Sequence, residues 1–413
     1  MNDFIPASEY CVKVFDGTHE TPKPTLTGFP LITSKNILGG NLDLESAYNI
    51  SEEDYSNIQK RSAVKQYDIL FSMIGSVGEI YLERNAVIPY TIKNVCAFRS
   101  KDIDHAKWLY FYLQSPTAKN FIRNYLAGAV QKFLPLGTMR DFPVPKFDEN
   151  QRGLVNLLFS IENKILENNH QKKLIEKTAL EIFNYWFLQY EFPGPNGQPF
   201  LSSGGSFIFN ESVEMELPHN WFVETFDEKI QIGSGYPFNS SNYSETGKYG
   251  VITIKNVQDR RLQLNDLIRY DQIPSNLADH AILGMGDILI SLTGNVGRIC
   301  LVDEINLLLN QRVGKIICKD LFRNYAYLYF LLPETRKRLE MISNGSSQQN
   351  LSPVDATKFL HAFPDEQTLV KFNEVIGPLI QKTVAIGREN RELQATEEWL
   401  LSMFNSGQIA FKE

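Results

Sequence analysis

The stretch KQYDILFSMIGSVGEIYLE (65–83) decides the reading of this chain, because it occurs twice. GMGDILISLTGNVGRICLV (284–302) repeats it, and Asp68, Ile69, Leu70, Ser72, Gly75, Val77, Gly78 and Ile80 all recur 219 residues later. Upstream, LITSKNI (31–37) returns as VITIKNV (251–257). Downstream, WLYFYLQSP (108–116) matches YLYFLLP (327–333), and AGAVQKFLP (127–135) matches NGSSQQNLS (344–352). Four collinear blocks in one order mark a tandem duplication.

Each half has the same plan. A strand-rich region punctuated by Gly, Pro and Asn is followed by a long stretch of helical periodicity. The expected divisions are a first head at 1–148, a helix at 149–190, a connector at 191–217, a second head at 218–364 and a second helix at 365–413. The connector, which holds EFPGPNGQPFLSSGG (191–205), is dense in residues that break regular structure, and its phenylalanines predict that it packs.

The helical stretches carry apolar seams at alternating three- and four-residue steps. From Leu154 to Trp186 eight of ten seam positions are apolar, and from Leu369 to Phe404 eight of eleven. The seams predict packing through Leu158, Ile161, Ile165, Ile175 and Ile182 on one helix. On the other, Ile376, Leu379, Ile386, Leu393 and Leu400 take that role. Asn168 and Asn390 interrupt the seams near their middles. Each reads either as a buried register-fixing amide or as a solvated gap. Pro378 removes one helix hydrogen bond. A 38-residue helix is roughly 57 Å long, more than one head of this size covers. Two such helices most simply pack on each other. The predicted fold class is therefore α+β: two tandem mixed α/β domains separated by two long helices in an antiparallel coiled-coil pair.

Composition narrows the function. The chain has 413 residues, 43% hydrophobic and 22% charged, with 41 basic and 48 acidic residues and a net charge of −7. That balance argues against a surface coated in basic charge, and leaves room for a local basic groove. No apolar run approaches the roughly 18 residues of a membrane span, and no secretory signal is visible. Cys11, Cys96, Cys300 and Cys318 form no CxxC and read as reduced thiols of a cytoplasmic protein.

Catalytic constellations are missing from the sequence. The six histidines are scattered, without HExxH or zinc spacing, and no GxSxG is present, so neither a metal nor a catalytic site is expected. The turns SMIGSVG (72–78) and SLTGNVG (291–297) share GxxG but lack a P-loop or dinucleotide ending. Gly75, Gly78, Gly294 and Gly297 read as hairpin glycines, as backbone contacts to a nucleic-acid phosphate, or as both. Two matched heads without chemistry suggest a recognition device.

The sequence resembles the specificity (S) subunit of Type I DNA restriction-modification systems over nearly its whole length. The resemblance rests on FDGTHETPKPTLTGFPLITSKNI (15–37), IGSGYPFNSSNYSETGKYGVITIKNV (232–257), the DILxSxxGxVG pair, EIFNYWFLQYEFPGPNGQPFLSSGG (181–205) and GGSFIFNESVEMELPHNW (204–221). GSSQQNLSP (345–353) fits the family pattern better than GAVQKFLP (128–135). The resemblance implies two target-recognition domains, each reading one half of a bipartite double-stranded DNA target. It implies helices that set the spacer and dock two modification (methyltransferase) subunits. Those partners use S-adenosylmethionine on adenine, and restriction subunits use ATP to translocate and cut, so host-defence catalysis lies in the partners. This chain is expected to be non-catalytic and to bind no cofactor or membrane. Alternative readings are a two-headed scaffold for proteins, or the recognition part of a split Type II methyltransferase-nuclease.

Within that reading the candidate DNA contacts of the first head are Lys35, Asn36, Ser72, Ser76 and Lys132. Those of the second are Lys255, Asn256, Ser291, Thr293, Asn295, Gln348, Gln349 and Asn350. These side chains suit phosphate and base-edge contacts. The competing reading is that repeated residues hold the shared fold, with base readers where the halves differ, around Tyr48–Lys60 or Tyr236–Lys248.

Overall fold

The computed structural model describes residues 4–127, 133–343 and 349–406. It divides into two compact units, one of residues 1–164 with 393–413 and one of residues 165–392.

The duplicated block forms the same antiparallel sheet in each unit. In the first, the order is Lys13–Asp16, Val95–Arg99, Ile69–Ser72, Ile80–Leu82, with Leu70 opposite Ala97. In the second it is Ile230–Ser234, Val313–Cys318, Ile288–Ser291, Ile299–Leu301, with Leu289 opposite Lys315. A second sheet accompanies each, of three strands in the first unit and four in the second, and its parallel step pairs Leu31 with Thr91 and Val251 with Leu308. Two helices then follow each sheet, Ile103–Gln114 and Pro116–Ala127, then Asp320–Leu331 and Pro333–Ile342. The second helix of each pair begins with proline, whose missing N–H costs nothing in the first turn.

The invariant members of the repeat hold this frame. Asp68 is buried, and its carboxylate accepts from Arg99 Nε at 2.8 Å and from the Lys65 backbone N–H at 2.8 Å. Asp287 does the same work with Lys315 at 2.7 Å and the Gly284 N–H at 2.7 Å. Gly17 and Gly235 are needed for space: a Cβ would stand 2.0 Å from the Ile92 carbonyl oxygen and 2.1 Å from that of Leu309. Burial pushes the thiols of Cys11 and Cys318 up, to about 12 and about 11, which keeps them protonated.

The long helices are Arg152–Phe183, continued by a wide turn at Asn184–Leu188, and Glu366–Ser406, which runs through Pro378. Within the second unit they run antiparallel: Asn168 meets Asn390, while Phe183, Trp186 and Phe187 meet Phe372. Leu158, Ile376, Ile386 and Leu400 are buried, as are Ile161 and Ile165; Ile175, Ile182, Leu379 and Leu393 are half-buried. Asn168, 1% exposed, donates to Asn390 Oδ1 at 2.8 Å and to Glu389 Oε2 at 2.9 Å. Asn390 donates in turn to Asn169 Oδ1 at 3.0 Å. The polar seam positions are thus a cross-helix hydrogen-bonded pair and not a solvated gap. The connector packs into the second unit's core, where Phe192 and Phe200 stack with centroids 4.6 Å apart.

Candidate nucleic-acid interface

The glycine turn is built from its own serine. Ser72 Oγ donates to the Ser76 carbonyl and accepts the Glu79 N–H at 2.9 Å. Ser291 Oγ donates to the Asn295 carbonyl at 2.5 Å and accepts the Arg298 N–H at 2.9 Å. Gly75, Gly78, Gly294 and Gly297 take φ of 75°, 98°, 71° and 78°, the left-handed region that favours glycine. Both serines are buried with their hydroxyls committed. This corrects their reading as DNA contacts: they shape the turn.

Asn36 and Asn256 are corrected in the same way. Each is 5% exposed. Asn36 Oδ1 accepts from the Thr33 N–H and hydroxyl, both at 2.9 Å, and its amide donates to Ser46 Oγ at 3.1 Å. Asn256 Oδ1 accepts from the Thr253 N–H and hydroxyl at 2.8 Å, and its amide donates to the Gln263 carbonyl at 2.8 Å. Each amide oxygen takes two local donors and each amide nitrogen one local acceptor, so both side chains hold their own loop.

The other candidates reach the surface. Lys35, Ser76, Lys255, Asn295, Gln349 and Asn350 are exposed, and Thr293 is half-buried. Lys132 and Gln348 lie outside the described residues. In the second unit the fold gathers the survivors. Thr293 bridges to Asn350, the Gly294 N–H donates to the Gln349 carbonyl at 3.1 Å, and the Leu351 N–H donates to Leu292 at 2.8 Å. Turn and segment 349–351 therefore form one surface, with clefts on either side. One, of about 270 Å³, is lined by Lys255, Gln258, Thr293, Asn295 and Arg298. The other, of about 630 Å³, is lined by Ser234, Thr293, Gln311, Arg312, Gln349 and Asn350.

Gln258, Arg298, Gln311 and Arg312 were not anticipated from sequence. The usable signal is difference rather than repetition, since Arg298 stands where the first half has Glu79. Electrostatically this surface is uncompensated: among the described residues no carboxylate lies within ion-pair distance of Lys255, Arg298 or Arg312. Neighbouring Arg336, by contrast, is neutralised by Asp259 at 2.8 Å and Glu340 at 3.2 Å. The first unit repeats the bridge with different side chains, Ile74 to Phe133, and with Leu134 N–H donating to Met73 at 3.0 Å.

The segments where the halves differ also differ in structure. In the first, Ser51 caps the helix Glu52–Ser62, with Glu52, Glu53 and Asp54 in its first turn and Lys60 and Arg61 in its last. In the second, a loop with one short turn, Ser240–Asn242, leads into an aromatic group of Tyr236, Phe238, Tyr243 and Tyr270. Burial raises the Tyr270 phenol above its ordinary value, so it stays a neutral hydrogen-bond donor to the Asn239 carbonyl.

A duplicated mixed domain, exposing hydrogen-bonding side chains around a glycine turn and followed each time by a long helix, defines a class of tandem recognition proteins. The chain belongs to the Type I restriction modification DNA specificity domain family, whose model matches residues 24–177 and 218–355. It is 21% identical over 405 residues to the specificity subunit of the Type I restriction enzyme MjaIX of Methanocaldococcus jannaschii, covering 93% of this chain and 90% of that protein. It is 23% identical over 300 residues to the MjaVIII specificity subunit of the same organism, covering 70% of this chain and 66% of that one. Its fold is similar to the crystal structure of a Type I restriction-modification S subunit from M. genitalium, with a TM-score of 0.60, 15% identity and coverage of 97% and 94% of the two chains. The chain is accordingly a Type I specificity subunit, and its task is DNA recognition.

Proposed function

We propose that this subunit reads a bipartite DNA target, one half with each head, and that the antiparallel helices set the unspecified gap between the halves. The observation that carries this reading is the duplication itself. Two copies of one domain share a frame yet differ at the bridge, in the turn and in the segments 48–60 and 236–248. Shared frame with divergent surface is what two readers of different half-sites require. The heads span about 1–148 and 218–364, joined through the helices and the 191–217 connector.

In this reading Lys35, Ser76, Lys255, Thr293, Asn295, Gln349 and Asn350 approach DNA, and the helix pair docks two modification subunits. Methyl transfer and cleavage belong to those partners and to the restriction subunits, and the chain itself is non-catalytic. The test is co-expression with the modification subunits, followed by mapping of methylated adenines. The expected motif is two short specified halves around an unspecified gap. Exchanging residues 236–248 for those of another family member changes one half alone. A contiguous motif, or one unmoved by the exchange, refutes the reading.

A further inference from the structure

We infer that the smaller cleft beside the Ser291 turn is a site for a phosphodiester oxyanion of the DNA backbone, built in the second head from side chains that the described residues of the first do not repeat. The inference rests on the reading of the chain as a DNA-recognition subunit and adds where, and how unequally, the backbone is held.

The chain supplies its own comparison. Both turns have the same serine-centred hydrogen bonds, so the residues after the second glycine, Glu79 and Arg298, are structurally equivalent. Glu79 folds back on its own head and accepts the Gly39 N–H at 2.8 Å. Arg298 instead donates Nη to Gln258 Oε1, and the Gln258 amide is anchored to the Lys255 carbonyl at 2.8 Å. At the bridge the first head presents Ile74, 40% exposed, where the second presents Thr293.

Two polar atoms of the cleft are left unsatisfied. Thr293 Oγ1 and Arg298 Nε are buried and have no hydrogen-bond partner among the described residues. A native fold rarely keeps buried orphan polar atoms, and each invites an explanation. Here both belong to side chains that line one cleft, of about 270 Å³, with the unpaired Lys255 beside them. A guanidinium with a free Nε–H, a hydroxyl free to donate and an ammonium, with no carboxylate, form a set of donors. Such a set matches an anion with several acceptor oxygens. The volume falls below the roughly 300–1,000 Å³ of small-molecule sites and suits one phosphodiester group.

The test uses the full chain assembled with its modification subunits, and the probe is a random-sequence duplex titrated between about 50 and 200 mM salt. Losing one phosphate contact flattens the slope of log affinity against log salt by about 0.9. Arg298→Gln is expected to flatten it by that amount and to weaken binding alike on all sequences, while Arg298→Lys restores most of the slope. Thr293→Val is isosteric: it is expected to raise Tm, since the orphan hydroxyl is gone, yet to weaken binding about threefold to tenfold with little change of slope. The rise in Tm also reports an intact fold. A second arm titrates inorganic phosphate into the same proteins by calorimetry. Phosphate binding lost in Arg298→Gln, with an unchanged duplex slope, overturns the backbone assignment in favour of a free-anion site. An unchanged slope without phosphate binding overturns the site altogether. If the wild-type assembly fails to bind the duplex, the DNA reading itself falls and takes the inference with it.

Discussion

Replacing Asn168 and Asn390 by leucine, singly and together, probes the helix pair at its polar centre. The pair is nearly inaccessible, 1% and 8% exposed, and its amide–carbonyl bond is 2.8 Å long. Asn168→Leu strands the buried Asn390 Oδ1 and removes the bond to Glu389 at 2.9 Å. An orphaned buried acceptor costs about 1–3 kcal/mol, of which added leucine burial returns a part. Asn390→Leu takes one of two acceptors from the Asn168 amide, which keeps Glu389, and strands Asn169 Oδ1 by removing its bond at 3.0 Å, at a similar cost. The double variant leaves no stranded amide between the two positions and seats leucine against leucine, which is close to neutral or stabilising. The singles should therefore each lose about 1–2 kcal/mol, and the cycle should show a coupling of about 2 kcal/mol or more. Urea unfolding followed by circular dichroism, at constant m, measures this through the midpoints. Additive losses within about 0.5 kcal/mol would refute the cross-helix bond as the element that matches these helices.

Three further outcomes follow from other parts of the fold. Arg84 is paired with Glu162, which also accepts from Tyr110 at 2.5 Å, and Arg84 Nε donates to Asn163 at 3.0 Å. Arg84→Ala should destabilise the first unit by about 2 kcal/mol, since it leaves the half-buried Glu162 carboxylate without its cation, and a loss under about 0.5 kcal/mol in thermal unfolding contradicts that. Burial, together with Glu162 and Glu398, pushes Glu397 from 4.5 up to about 7. The folded state then binds more protons than the unfolded between those values, so stability falls as pH rises from 4.5 through 7. Glu397→Gln should remove that decline, and an unaltered pH profile of Tm counts against it. His361, held neutral by burial with its ordinary 6.5 lowered to about 3, acts in the opposite direction. It contributes stability that is complete above 6.5 and lost as pH falls toward 3, a loss that His361→Phe should diminish.

Much of the architecture was legible because duplication is visible at the level of identity. Asp68 and Asp287, or Ile69 and Ile288, recur for reasons of the frame, and the seam around Asn168 and Asn390 follows from helical period alone. The interface was read less well, and for a related reason. Candidates chosen because they repeat were biased toward residues that hold the fold. Thr33-x-x-Asn36 and Thr253-x-x-Asn256 are local capping patterns, and that spacing, read by itself, predicts amides spent on the backbone. Ser72 and Ser291 sit where a glycine turn needs a side-chain acceptor. Arg298 and Arg312 were passed over because their equivalents differ. Only the bridge from Thr293 to Asn350 shows that segments 57 residues apart in sequence form one surface.

The central claim is that two readers are spaced by a helical ruler, and lengthening the ruler tests it most directly. One heptad inserted after Lys164 and one after Glu392, where the two compact units divide, preserves the apolar seam in both helices. Seven residues add roughly 10 Å of helix, or about three base pairs of duplex. Methylated-adenine mapping of cells carrying this variant with its modification subunits should return the same two half-sites with the gap longer by about three base pairs. The same half-sites at an unchanged gap would contradict the account.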